Sequence, residues 1–123
     1  MIMGLDQIIC GYDEDGVEVV HKCYRKQNWL RNWMIKNTAL DYDSNTEIVE
    51  LERYKLRELI ETCKYVLNHK NRASEKLETL NGFFFGVTDY DDWYFKGIEQ
   101  VKDDLEELLN DDELKYFDYW DWW

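Results

Sequence analysis

The 123-residue chain has no proline, three cysteines, two histidines and a marked shortage of positive charge. This composition excludes collagen-like, coiled-coil and low-complexity organisation. Cys10, Cys23 and Cys63 are odd in number and include no close pair. They build no disulfide framework, and reduced thiols in a cytosol are expected. No apolar run approaches the roughly 20 residues that cross a bilayer. The start, Met1-Ile2-Met3-Gly4-Leu5-Asp6, carries neither the basic nor the apolar region of a signal peptide. A cytoplasmic protein without membrane contact is therefore expected. Fifteen Lys and Arg stand against 27 Asp and Glu, for a net charge of −12. DNA, RNA and anionic membranes all repel such a chain, so none of them is expected as a direct partner.

Apolar surface, by contrast, is plentiful. Hydrophobic residues make up 45% of the chain, and there are six Trp, nine Tyr and five Phe. Disordered chains do not carry that much aromatic area. One domain over residues 1–123 fits the length, and a chain of this size buries roughly two thirds of its unfolded surface.

Local patterns predict an α+β order. Leu5 to Cys10 reads as a strand, Gly11 to Gly16 as a turn, and Val17 to His21 as the returning strand of a hairpin. Tyr24 to Asn37 has no glycine and reads as a first helix, with Thr46 to Leu51 as a following strand. Leu56, Leu59, Ile60, Cys63 and Leu67 share one face of a second helix, which is expected to end near Asn68 in a left-handed conformation. Asn71 to Leu80 reads as a short helix or a loop. Gly82 to Gly86, with three consecutive phenylalanines, reads as a buried strand. The third helix is capped by Asp91 or Asp89 and has an apolar stripe of Tyr94, Phe95, Ile98, Val101, Leu105, Leu108 and Leu109. Gly97 inside it implies a packing reason. An aromatic tail follows, from Leu114 to Trp123. The predicted architecture is a small, mainly antiparallel sheet with about three helices on one face.

Motifs that carry chemistry are few. His21 and Cys23 share one face of a strand, but no CxxC or HExxH accompanies them, so no zinc site is assigned. Asp41-Tyr42-Asp43-Ser44-Asn45 resembles the start of a calcium loop, yet Thr46 stands where the central glycine belongs. GxSxG, P-loop and GxGxxG patterns are missing, and carboxylates are too numerous to nominate a catalytic pair. The expectation is a protein without catalytic residues, metal or cofactor.

Charge placement is more informative. Residues 86–123 hold 13 acids against three lysines, while residues 1–85 hold 14 acids against 12 bases. With the apolar stripe of the third helix facing inward, Asp103, Asp104, Glu106 and Glu107 crowd its remaining surface, followed by Asp111, Asp112 and Glu113. Acids at a helix C-terminus oppose the macrodipole at roughly 0.3–1 kcal/mol each. A solvated face explains such a run, and so does a negative surface that meets a basic partner by imitating phosphate spacing. Trp120, Trp122 and Trp123 are candidate anchors, since tryptophan is favoured at interfaces. Lys22, Arg25, Lys26, Arg31 and Lys36 form a counterpart segment with no acid between Glu18 and Asp41. It serves either to pair with the acidic third, within the chain or in a homodimer, or to bind a nucleotide through Arg25, Lys26, Trp29 and Arg31.

Several segments together resemble a family of small bacteriophage and prophage proteins that begin "MGLD". They are Met3-Gly4-Leu5-Asp6-Gln7, Tyr24-Arg25-Lys26 with Asn32-Trp33, Leu59-Ile60-Glu61-Thr62-Cys63-Lys64-Tyr65-Val66-Leu67, and Gly82-Phe83-Phe84-Phe85-Gly86-Val87-Thr88-Asp89-Tyr90-Asp91-Asp92-Trp93-Tyr94-Phe95. They span most of the chain. The resemblance implies an origin in phage or prophage and carries no defined activity with it. The chain departs from the family at Trp29 and Arg31, where relatives often have histidines, and at Tyr119-Trp120-Asp121-Trp122-Trp123, where relatives have a serine-rich tail. Any use those histidines have is therefore not expected here. Small acidic phage proteins resemble inhibitors of host nucleases, among them anti-CRISPR and anti-restriction proteins, and that analogy sets the leading expectation. It is a non-enzymatic counter-defence protein on the basic nucleic-acid groove of a host defence nuclease, such as a CRISPR effector. A nucleotide-binding protein and a self-assembling structural phage protein are the alternatives.

Overall fold

The computed structural model describes residues 4–82 and 85–123. The fold is α+β. Strands β1 (Asp6–Tyr12), β2 (Glu18–Arg25), β3 (Ile48–Leu51) and β4 (Tyr116–Trp122) form one antiparallel sheet in the order β2-β1-β4-β3. Helices α1 (Asn28–Asn37), α2 (Arg53–Asn68), the single turn α3 (Ala73–Lys76) and α4 (Asp92–Asn110) complete it, with a 3₁₀ turn over Lys70–Arg72 leading into α3.

One hydrophobic core receives residues from every strand and helix. The sheet contributes Ile9, Tyr24, Val49, Leu51, Phe117 and Tyr119, all on one face by strand alternation. The helices cover that face. On α4, Ile98, Val101, Leu105 and Leu108 are fully buried, each worth about 1.5–3 kcal/mol of transfer free energy. The helix starts at Asp91, whose carboxylate accepts the Tyr94 amide at 3.0 Å. Its acidic C-terminal end carries no basic residue of its own. Arg53 instead donates to the carbonyls of Leu109 at 3.2 Å and Leu114 at 2.8 Å, supplying the missing cation and two hydrogen bonds. The packing reason for Gly97 is Gln27: a Cβ there would clash with the Gln27 carboxamide oxygen.

Several sequence expectations are corrected. The first helix starts at Asn28, not Tyr24, because β2 continues to Arg25 and pairs Tyr24 with Gln7 and Arg25 with Asp6. Lys26 then takes a positive φ of 54° and turns the chain. β3 starts at Ile48 rather than Thr46, whose own φ is 67°. α2 does end at Asn68, but through His69 at φ −140° and without a left-handed residue. At the expected strand over 82–86, Phe85 lies in a bend with its ring buried, while Phe83 and Phe84 fall outside the described residues. The aromatic tail is β4, an interior strand of the sheet between β1 and β3. Among the described residues no helix is long and apolar enough to cross a membrane.

Candidate interaction surfaces

The acids expected to form one docking ridge are dispersed, and most on α4 already have partners. Asp103 is held by Lys102 at 2.7 Å and Glu106 by Lys102 at 3.2 Å and Lys64 at 3.8 Å. Glu107 meets Lys22 at 3.2 Å. Asp104 accepts the Tyr24 hydroxyl at 2.8 Å. Burial and the Asp104 charge push that phenol well above the ordinary tyrosine range. Three helix acids thus face three lysines of the same molecule, and the fourth a tyrosine hydroxyl. These pairs are mostly exposed and individually weak, but they remove most of the ridge's uncompensated charge. The open negative ridge expected from the sequence is corrected on this point.

Uncompensated charge accumulates elsewhere, at one end of the sheet. The β1–β2 turn presents Asp13, Glu14 and Asp15, and the α4–β4 turn presents Asp111, Asp112 and Glu113. The two turns adjoin, since Tyr12 pairs with Tyr116 and the Lys115 amide donates to the Tyr12 carbonyl at 2.7 Å. Asp13 accepts the amides of Asp15 and Val17, and Asp111 accepts the amide of Glu113. The carboxylates are thereby anchored to their own turns. None of the six forms an ion pair among the described residues. Sequence reasoning located Asp111 to Glu113 but not the contribution of the first turn, because only the pairing of β1 with β4 brings the two together.

The tryptophans separate. Trp120 and Trp122 lie on the face of the sheet away from the helices, with ring centroids 4.6 Å apart. Ile8 and Ile48 flank Trp120 across the strands, and Ile48 is 63% exposed. A groove of about 370 Å³ runs between Ile8, Cys23, Arg25 and Trp122. At the acidic end of this face, Cys10, Tyr12, Glu18 and Asp118 meet. Asp118 accepts the Tyr12 hydroxyl at 2.8 Å, while its Oδ1 is buried without a partner. Burial raises the Asp118 pKa. Burial also pushes the Cys10 thiol up to about 12. Trp123, by contrast, packs edge-on against Phe85 at 5.5 Å and stacks near Arg31.

The proposed nucleotide site is not assembled. Arg25 pairs with Asp6 at 3.5 Å on the uncovered sheet face. Lys26 occupies the left-handed turn residue. Trp29 is buried and donates its indole N–H to Gln27 at 2.9 Å. Arg31 is completely buried. Its guanidinium binds Asp121 and the carbonyls of Asp41, Tyr42 and Ser44, with Phe85 and Trp123 over its faces. Asp121 in turn accepts from Tyr119, whose hydroxyl receives a hydrogen bond from Gln7. Arg31 is a core residue and cannot reach a ligand. This part of the basic segment therefore pairs within the chain, as Lys22 does with Glu107. No group of three or more metal-ligating side chains is poised for an ion among the described residues.

Protein-family models, curated proteins and solved structures were all compared with the chain, and it matches none of them.

Proposed function

We propose that this chain is a non-enzymatic binding protein that occupies the basic nucleic-acid groove of another protein, in the manner of a phage counter-defence inhibitor. The observation that carries the reading is the pair of adjoining turns at one end of the sheet, with six carboxylates free of ion pairs among the described residues. Backbone hydrogen bonds anchor Asp13 and Asp111 to their turns. Little ordering entropy is then lost when lysines and arginines arrive. The target class follows from charge. A chain of −12 is drawn to surfaces built to hold phosphate and repelled from nucleic acid itself. The resemblance to small phage proteins points to a host defence nuclease, a CRISPR effector or restriction enzyme, as the groove's owner.

The test is capture of partners from a bacterial lysate at low salt, followed by challenge with duplex DNA. Two baits are compared: the natural chain and a variant with Asp13, Asp15, Asp111 and Asp112 changed to Asn, and Glu14 and Glu113 to Gln. Captured proteins that handle nucleic acid, are released by DNA, lose activity in proportion to added protein and ignore the variant support the reading. Equal capture by both baits overturns it. A further variant with amides at Asp103, Asp104, Glu106 and Glu107 should lose less, since those acids already face lysines or a tyrosine hydroxyl.

A further inference from the structure

The sheet has one face packed under helices and one face with nothing over it among the described residues. The bare face is apolar in its middle, where Ile8, Trp120, Ile48 and Trp122 adjoin. We propose that this face packs against the same face of a second copy of the chain. The two-fold axis lies between the sheets and across the strands.

Area, charge and symmetry support that occupant. Three strands of about seven residues and β3 with four, at about 4.8 Å spacing and about 3.4 Å rise, make a patch of roughly 400 Å² in projection. Side-chain relief on two such patches brings the buried total to on the order of 1,000 Å², where specific interfaces begin. Charge differs along the strands: at one end Arg25 of β2 stands with its partner Asp6 of β1, and toward the other end lie only acids, Glu18 of β2, Asp118 of β4 and Glu50 of β3. An axis across the strands reverses their direction and sets Arg25 of each copy over Glu18 of the other. An axis along the strands would lay β2 over β3 and bring Glu18 of each copy toward Glu50 of the other, which like-charge repulsion disfavours. Pairing through the apolar middle also covers the exposed Ile48 and the half-buried Ile8, Trp120 and Trp122, whose remaining apolar surface a solitary domain would leave in water. The six-carboxylate turns lie beyond the acidic end of the face. Reversal therefore carries them to opposite ends of the pair, away from each other.

Sedimentation equilibrium on the full chain tests this, independently of any partner. At tens of micromolar the expected mass is twice the 15.1 kDa of one chain. Ile48 is 63% exposed, so Ile48→Lys leaves folding intact and is expected to weaken self-association, by about tenfold or more. Arg25→Glu should weaken it similarly, and adding Glu18→Arg should restore it, because the swap rebuilds the intermolecular pair. A second readout needs no substitution. Cys23 lies exposed on this face, and its alkylation should slow as protein concentration rises. Circular dichroism confirms that each variant is folded. A mass of one chain up to about 200 μM, or a dimer untouched by Ile48→Lys and by the charge swap, overturns the proposal.

Discussion

Arg31 and Asp121 form an ion pair with both side chains fully excluded from water, and the pair ties α1 to β4 and to the loop before β3. Two charges taken out of water are tolerable only with partners, which Arg31 has at both terminal nitrogens though not at Nε, and removing one charge leaves the other stranded at a cost of about 3–5 kcal/mol. Asp121→Ala is therefore expected to lower unfolding free energy by about that amount in urea titration. Arg31→Met combined with Asp121→Leu should recover most of the loss, because no charge is then left buried. Asp118 makes the opposite case. Its folded-state pKa is raised by burial, so it takes up a proton in the folded chain before it does so in the unfolded one. Stability from this group is fully present below its unfolded pKa and is lost as pH rises from there through its folded pKa, the reverse of a salt-bridged carboxylate. Asp118→Asn should thus melt higher than the natural chain at pH 7, with the advantage gone by about pH 4. A difference in melting temperature that is constant across that range would show that Asp118 has no raised pKa.

α4 is the element on which most of the fold depends, and its closest approach to the rest is at Gly97. Alanine normally gains up to about 1 kcal/mol over glycine inside a helix. Here its Cβ would displace the Gln27 carboxamide, which accepts the buried Trp29 indole N–H and donates to the Arg25 carbonyl. Leaving such a buried donor unpaired costs about 1–3 kcal/mol, so Gly97→Ala should destabilise the protein on balance. A double-mutant cycle with Gln27→Ala should show the two sites coupled. α4 was readable in advance because its apolar residues recur at helical spacing and Asp91 marks its start, and α2 for the same first reason. β4 was not. Its inner residues Phe117, Tyr119 and Asp121 and its outer residues Tyr116, Asp118, Trp120 and Trp122 are both mixtures of aromatic and acid, so alternation leaves no trace in hydropathy. The β2–α1 boundary was hidden for another reason: the left-handed residue between them is Lys26, with no glycine to mark it. The candidate surface was partly readable. Asp111 to Glu113 stand out as a run of acids, but their union with Asp13 to Asp15 depends on strand pairing. Nothing in the local sequence distinguishes buried Arg31 from an exposed helix arginine.

Taken together, the charges make salt act with opposite sign on folding and on association. The chain carries −12, and its lysines pair with Asp103, Glu106 and Glu107 of α4 but leave both acidic turns free of ion pairs among the described residues. Neighbouring carboxylates repel each other most strongly in the compact state, so a chain of this kind is held below its intrinsic stability when screening is weak. The Debye length falls from about 30 Å at 0.01 M salt to about 8 Å at 0.15 M, and the two turns lie close enough together for that change to matter. The melting temperature is accordingly expected to rise between those salt concentrations. The variant with amides at both turns should start higher at low salt and rise less. Association with a basic groove should move the other way, weakening steeply over the same range, because the attraction being screened is the one that binds. Measuring both quantities in one salt series separates the causes. A fall in melting temperature with salt would mean that the internal lysine pairs outweigh the repulsion between the turns. Binding that stays level while the melting temperature rises would place the contact on an apolar surface, where the bare tryptophan face is the nearest candidate.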